Sequence, residues 1–315
     1  MDASLSLVLL KKILVMFIMV AMGFITVKKG RLKSADSSVL SRICFDWIIP
    51  CSLIASFQVD YEKEKAQAFL FACAVAVLSI LLYIVITRLI QKPLKWNVAE
   101  QGTAIFSNSA GVGAPLVAAV LGSEELFFAS AHMGFQNLAI FVYLPFIMSR
   151  EAKVDWKKIL LNRNVFSITI GLLMFFTGFR LPDFLGSAVS TVGSLLSPVS
   201  MIMIGMLMGG VDFKTIFGDR RLYLVTAVRL LIYPLIFILT AKFTGAVNLF
   251  PYAKEVILVI LICSSAPAAA LVTQLADVYR TTEEARAAGT LNVITTLFCI
   301  VSMPLMVFLY QLICG

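Results

Sequence analysis

The sequence predicts an all-α integral membrane protein: ten transmembrane helices in two inverted five-helix repeats, with one interrupted helix in each half. Three observations predict it. The 315 residues are 60% hydrophobic and only 14% charged, with mean hydropathy +0.95, whereas a soluble domain carries about 25% charged residues. Ten apolar stretches approach the ~20 residues that a spanning helix needs. Two of those stretches hold proline and other helix-breaking residues at corresponding places.

The ten stretches run at 5–27, 36–59, 66–90, 97–122, 124–148, 165–181, 184–211, 219–243, 252–278 and 285–312. The first follows Asp2 and a serine-rich start; without a basic n-region and small-residue cleavage site it reads as a retained helix rather than a signal peptide. Loops are short. Residues 1–149 form the first repeat, 150–164 a basic cytoplasmic loop too short for a folded domain, and 165–315 the second repeat. Alternate loops hold 17 Lys and Arg on one side and 5 on the other, so the basic side is cytoplasmic and both termini lie outside. The net charge of +8 therefore points to membrane topology and not to nucleic acid.

The repeat rests on landmarks. Gly23 and Pro50 are 27 apart, as are Gly171 and Pro198; Gly30 and Gly178 share the same offset of 148. Pro115 pairs with Pro267 at offset 152, Asn137 with Asn292 at 155, and Pro145 with Pro304 at 159. Five spans per half force the halves into opposite orientations, a build typical of secondary transporters with a midplane site.

In the fourth span residues 106–115 read FSNSAGVGAP; in the ninth, residues 263–267 read CSSAP. Proline cannot donate the helix hydrogen bond, and backbone opened in hydrocarbon is tolerated only inside protein or beside a wet cavity. Pro115 and Pro267 are expected to start new half-helices, since proline suits the first helical position. The free N–H groups that follow carry the positive end of the dipole, which makes an anion site without buried arginine or lysine. Asn108, Ser109, Gly111, Gly113, Pro115, Ser264, Ser265 and Pro267 are the candidate binding residues, joined by Asn137 and Asn292 on the spans after each break. A kink or close-packing point is the plainer reading of each break. Gln136 is weaker than Asn137.

Residues 108–116 (NSAGVGAPL), Gly122 and Asn137, with residues 265–270 (SAPAAA), Tyr279, Asn292, Thr295, Thr296 and Pro304, resemble the auxin efflux carrier family of the bile acid/arsenite/riboflavin transporter superfamily. Pro50 and Pro198 fall where that family has prolines. The resemblance implies ten helices in inverted repeats, with broken helices 4 and 9 crossing at their prolines and substrate bound beside the crossing. It implies a scaffold of helices 1, 2, 6 and 7 that forms homodimers, and a moving unit of helices 3–5 and 8–10. Family substrates are mainly carboxylates: auxin in plants, malate or malonate in microbes. The central loop of about fifteen residues favours a microbial-type carrier in the bacterial inner membrane. The second break lacks the asparagine and glycines of the first, so the two halves of the site are not equivalent.

Several isolated groups have two readings. Asp46 pairs with Arg42 one turn earlier, or serves as a coupling proton site. His132, the lone histidine, packs with a hydrogen bond or relays a proton. Arg229 helps hold an anion or snorkels, as Lys11 and Lys12 do; Glu100 faces the cytoplasmic interface. Met201, Met203, Met206 and Met208 read as adaptable packing. The six cysteines form no CxxC pair and read as buried apolar residues. No cofactor, metal or enzymatic site is expected, there being no nucleophile–base pair or ligand cluster. The partners expected are a small organic anion and the bilayer. A sodium-coupled symporter of the same build, with Asn108 or Asn137 as oxygen ligands, and an anion channel are the alternatives.

Overall fold

The computed structural model describes residues 3–149, 157, 161–210 and 220–315, without the side chains of 3–10, 12 and 13. Most of the basic loop 150–164, with Arg150, Lys153 and Lys158, and also Lys214, lies outside the described residues. Among those described every secondary-structure element is helical, and the only β-type pairing is one isolated antiparallel bridge. Six runs are long and apolar enough to cross a membrane: Ser34–Ser56, Lys63–Ile90, Ser123–Met148, Asp183–Gly209, Arg220–Phe243 and Thr282–Cys314. Leu14–Lys28, Ser109–Val120 and Arg163–Thr177 are shorter apolar helices.

Helix α1 (Ala3–Lys28) ends at Gly30, whose φ of +69° suits glycine. The Gly30 N–H bonds the Val27 carbonyl and the Arg31 N–H the Thr26 carbonyl, closing a Schellman cap. The second span is α2 (Ser37–Ile43), a π-turn at Cys44–Ile48 and α3 (Ile49–Ser56). Helix α4 covers Lys63–Ile90. The fourth stretch is α5 (Val98–Ile105), a π-turn at Ser109–Gly113 and α6 (Ala114–Val120); α7 covers Leu126–Met148.

In the second half α8 (Arg163–Thr177) ends at Gly178, φ +67°, with the Phe179 N–H on the Met174 carbonyl. The glycines that match at offset 148 thus close their helices in the same way. Then come α9 (Asp183–Ser194), α10 (Leu196–Gly209), α11 (Arg220–Ala227), a π-turn at Val228–Ile232, and α12 (Tyr233–Phe243). The ninth stretch is α13 (Ala253–Ser265) and α14 (Ala270–Tyr279); α15 is Thr282–Cys314.

The three π-turns of the described residues each end two residues before a proline: Pro50, Pro115 and Pro234. In each the residue before the proline donates five residues back: Ile49 to Cys44, Ala114 to Ser109, Tyr233 to Val228. The widened turn relieves the proline ring's clash with the preceding turn, so the helix continues through it. Pro145 and Pro304 sit inside α7 and α15.

The tightest packing joins α1 to α10. A Cβ on Gly23 would lie 2.0 Å from the Ile202 carbonyl oxygen, and one on Gly205 would lie 1.9 Å from that of Val20. Only glycine allows such backbone-on-backbone contact, the usual way helices associate where lipid removes the hydrophobic drive. Met201, Met203 and Met206 are buried on the same helix. Phe57, Phe69, Phe127 and Phe175 form a second anchor of edge-on and tilted rings that joins α4, α7 and α8 to the end of α3.

Candidate functional site

The interior is organised by two opened stretches, Phe106–Asn108 between α5 and the Ser109 π-turn, and Ala266–Ala269 between α13 and α14. They run antiparallel and pair at Ser107 and Ala268. The Asn108 N–H donates to the Pro267 carbonyl at 2.7 Å, and the Ala269 N–H to the Phe106 carbonyl at 3.0 Å. The small residues of the first break permit this approach: a Cβ on Gly113 would sit 3.0 Å from the Cys263 Cα.

Pro115 stands in the first turn of α6 as expected but does not open the helix, and Pro267 does not start one. The helix restarts at Ser109, six residues before Pro115, with Asn108 as its cap: Asn108 Oδ1 accepts the Gly111 N–H at 3.1 Å. Pro267 lies within the opened stretch, three residues ahead of Ala270. The π-turn absorbs Pro115, so the opening moves to where the chains can pair.

Side chains complete the opened backbone. Gln136 Nε2 donates to the Ser107 carbonyl and to Ser107 Oγ at 2.7 Å, and reaches Ser109 Oγ at 3.3 Å. The Ser107 hydroxyl donates back to Gln136 Oε1 at 3.0 Å. Across the bridge, Asn292 Nδ2 donates to the Ala268 carbonyl at 2.7 Å, and Thr295 Oγ1 accepts the Ala268 N–H at 3.1 Å. Gln136, not Asn137, is thus the counterpart of Asn292, one residue from the position that the repeat pattern favoured.

Of the two readings of Arg229, holding an anion or snorkelling, the second is overturned. It is fully buried. Its Nη1 reaches the Ala104 and Ile105 carbonyls at 3.3 and 3.4 Å; its Nη2 reaches those of Ser264 and Ala266 at 2.7 and 2.8 Å. One guanidinium therefore closes the C-terminal ends of α5 and α13, where carbonyls lack helical partners and the dipole is negative. Tyr83 lies beneath it, ring centroid 5.8 Å away, stacked on Tyr233 and with its hydroxyl 3.3 Å from Ser264 Oγ.

The remaining candidates separate. Ser264 is committed, its hydroxyl also bonding the Leu261 carbonyl at 3.1 Å. Ser265 Oγ, His132 Nδ1, Asn137 Nδ2 and Thr273 Oγ1 are buried polar atoms with no hydrogen-bond partner among the described residues. Such atoms are rare in native interiors and call for an explanation. Thr273, on α14, has no signal in the sequence beyond its place after the second break. Asp46 lies far from this group in role: it forms an ion pair with Arg163 at the start of α8, not with Arg42, and both side chains are substantially exposed. Glu100 is buried rather than turned outward, with Arg221 Nε on its Oε1 at 2.6 Å and Arg221 Nη2 on its Oε2 at 2.7 Å. It also closes a capping box with Asn97. Among the described residues no group of three His, Cys, Asp or Glu could hold a metal ion, and the six cysteines are free.

An apolar helical bundle with opened, mutually paired stretches in its interior is a build shared by many membrane transport proteins. The family described as membrane transport protein, that of the auxin efflux carriers, matches residues 8–155 and 150–307, and the chain belongs to it. No curated protein matches the chain.

Proposed function

We propose that the protein is a secondary transporter of small organic anions, mono- or dicarboxylates, working by alternating access around the crossing. The observation that carries this reading is the division of polar groups there. The carbonyl ends of α5 and α13 are closed by Arg229. The restart at Ala270 has no side-chain cap, and Asn137 Nδ2 and Thr273 Oγ1 lack partners. Donors left open at a helix start favour a carboxylate, which accepts several N–H bonds at once.

The binding set in this reading is Asn108, Ser109, Asn137, Ser265 and Thr273 with the first amides of α14. Gly111, Gly113, Ser264, Pro267 and Asn292 shape and tie the crossing, and Pro115 lies in the helix that leads away from it. The carbonyls that a sodium ion would need are occupied by Arg229 and Asn292, which disfavours a sodium symporter at this point. Where α1 and α10 face the crossing the contact is apolar, through Met16, Val20, Met201 and Ile204 against Val112 and Leu116. Such an apolar contact can slide, in keeping with a scaffold of predicted helices 1, 2, 6 and 7 beside a moving unit. Ten spans in inverted halves, both termini outside a bacterial inner membrane, and pairing through the scaffold complete the proposal.

Purified protein in liposomes should take up labelled malonate or indole-3-acetate, and Asn137→Ala should weaken uptake at least tenfold while leaving thermal stability unchanged. Uptake equal to that of protein-free liposomes sinks the reading.

A further inference from the structure

Arg229 lies within Arg220–Phe243, a run apolar enough to cross a membrane, and is fully buried. A charge at that depth is expensive and is ordinarily paired with an opposite charge or with backbone carbonyls. Here the partners are four carbonyls and a tyrosine ring. The ion pairs among the described residues fall elsewhere: Glu62–Lys65, Asp46–Arg163, Asp60–Arg180, Glu100–Arg221 and Glu284–Arg280. Glu100, the one fully buried carboxylate among them, is held by Arg221. The crossing therefore carries one positive charge that no described carboxylate matches.

Helix dipoles decide where that charge is felt. A helix carries about −0.5 charge at its C-terminal end and about +0.5 at its N-terminal end. The ends of α5 and α13, about −1 together, rest on the guanidinium and offset it. The restarts at Ser109 and Ala270 keep about +0.5 each. With the negative ends cancelled by the arginine, the positive restarts are left unopposed, and the empty crossing sums to about +1.

We infer that Arg229 is the fixed countercharge of the carrier: it makes the empty crossing cationic and the crossing that holds a monovalent carboxylate neutral, so the favoured cargo carries a single negative charge. This rests on the transport reading above and narrows its substrate class. A neutral loaded unit meets the least electrostatic penalty in a low-dielectric interior, whereas a dianion leaves it net negative. A membrane potential acts only on the steps that move charge. One elementary charge crossing the full field changes an equilibrium up to about fifty-fold per 100 mV.

The test uses the unmodified protein in liposomes under imposed potassium diffusion potentials, with labelled indole-3-acetate (monovalent near neutral pH) and malonate (divalent). Exchange of indole-3-acetate against itself uses only loaded steps, and its rate should change less than about twofold over 100 mV. Net uptake into empty vesicles needs the cationic empty unit to return, and should slow about tenfold or more when the interior is negative. Exchange of malonate should respond to voltage. Indole-3-acetate exchange that tracks voltage, or malonate movement with none of indole-3-acetate, overturns the inference while leaving a transporter. No flux of either acid overturns the transport reading as well. Arg229→Met should make indole-3-acetate exchange voltage-sensitive, and Arg229→Lys should not. If Arg229→Met elutes as aggregate, the two modes of the unmodified protein still decide.

Discussion

Gln136 and Asn292 stand on different helices and do the same thing to the two chains that cross. Each turns a side-chain amide onto the carbonyl of a bridged residue, Gln136 onto Ser107 and Asn292 onto Ala268. Both carbonyls lie in buried residues, out of reach of a helical partner. Removing either amide strands an acceptor, which costs about 1–3 kcal/mol. Gln136→Leu and Asn292→Leu should each lower the melting temperature in detergent. Gln136→Leu should do so at least as much, since it also frees both hydroxyls of Ser107 and Ser109. A stable Gln136→Leu protein would show that the pairing at Ser107 and Ala268 holds without its side-chain ties.

The apolar stretches, the two breaks and the offset of Gly30 and Gly178 were legible because each is a property of local sequence. Length and composition fix where a chain can lie in lipid, and glycine marks a left-handed cap. The site was half legible. Asn108 and the small residues around it stood out, because polar and flexible residues are conspicuous in an apolar run. The use of Arg229 was not, since an arginine in a membrane span reads the same whether it rises to the interface or closes two helix ends. Gln136 was passed over for Asn137 because a landmark match places a residue only to within a position or two, and one position turns a side chain by about 100° on a helix. Arg42 was the one ion-pair partner offered for Asp46 because only neighbours in sequence are visible there; Arg163 is 117 residues away.

The contact of α1 with α10 yields a sharper expectation. A valine at position 205 must enter space held by the Val20 carbonyl oxygen, 1.9 Å from the nearest added atom. Backbone cannot yield as a flexible side chain does, so Gly205→Val should cost about 3 kcal/mol or more and separate the two helices. Size-exclusion profiles should show aggregation or loss of the monodisperse peak. Gly186→Val is the control, because a Cβ there makes only ordinary contact, 3.7 Å from Leu181.

Asp46 and Arg163 supply a test of coupling. An ion pair between side chains 38% and 63% exposed is worth at most about 1 kcal/mol. Asp46→Asn should therefore leave carboxylate uptake and its pH profile nearly unchanged, and exchanging the two residues (Asp46→Arg with Arg163→Asp) should restore whatever stability either single change loses. A collapse of uptake in Asp46→Asn, with normal folding, would return Asp46 to the role of proton carrier.

Pro115 separates two explanations of the break. If the proline itself opened the helix, Pro115→Ala would close it and abolish the crossing. The opened residues, however, are Phe106 to Asn108, and what holds them is pairing with Pro267 and Ala269 and the bonds from Gln136. The proline sits downstream, in helix that continues from Ser109 through the π-turn to Val120. With alanine there the turn can regain ordinary α-helical bonds, and the crossing should persist. Pro115→Ala should therefore keep uptake within about threefold of the unmodified protein, equivalent to less than about 1 kcal/mol. Gly113→Val, which drives a side chain against the Cys263 backbone 3.0 Å away, should abolish it. The opposite ranking, with Pro115→Ala inactive and Gly113→Val active, would mean that local sequence and not the meeting of the two chains opens the fourth span.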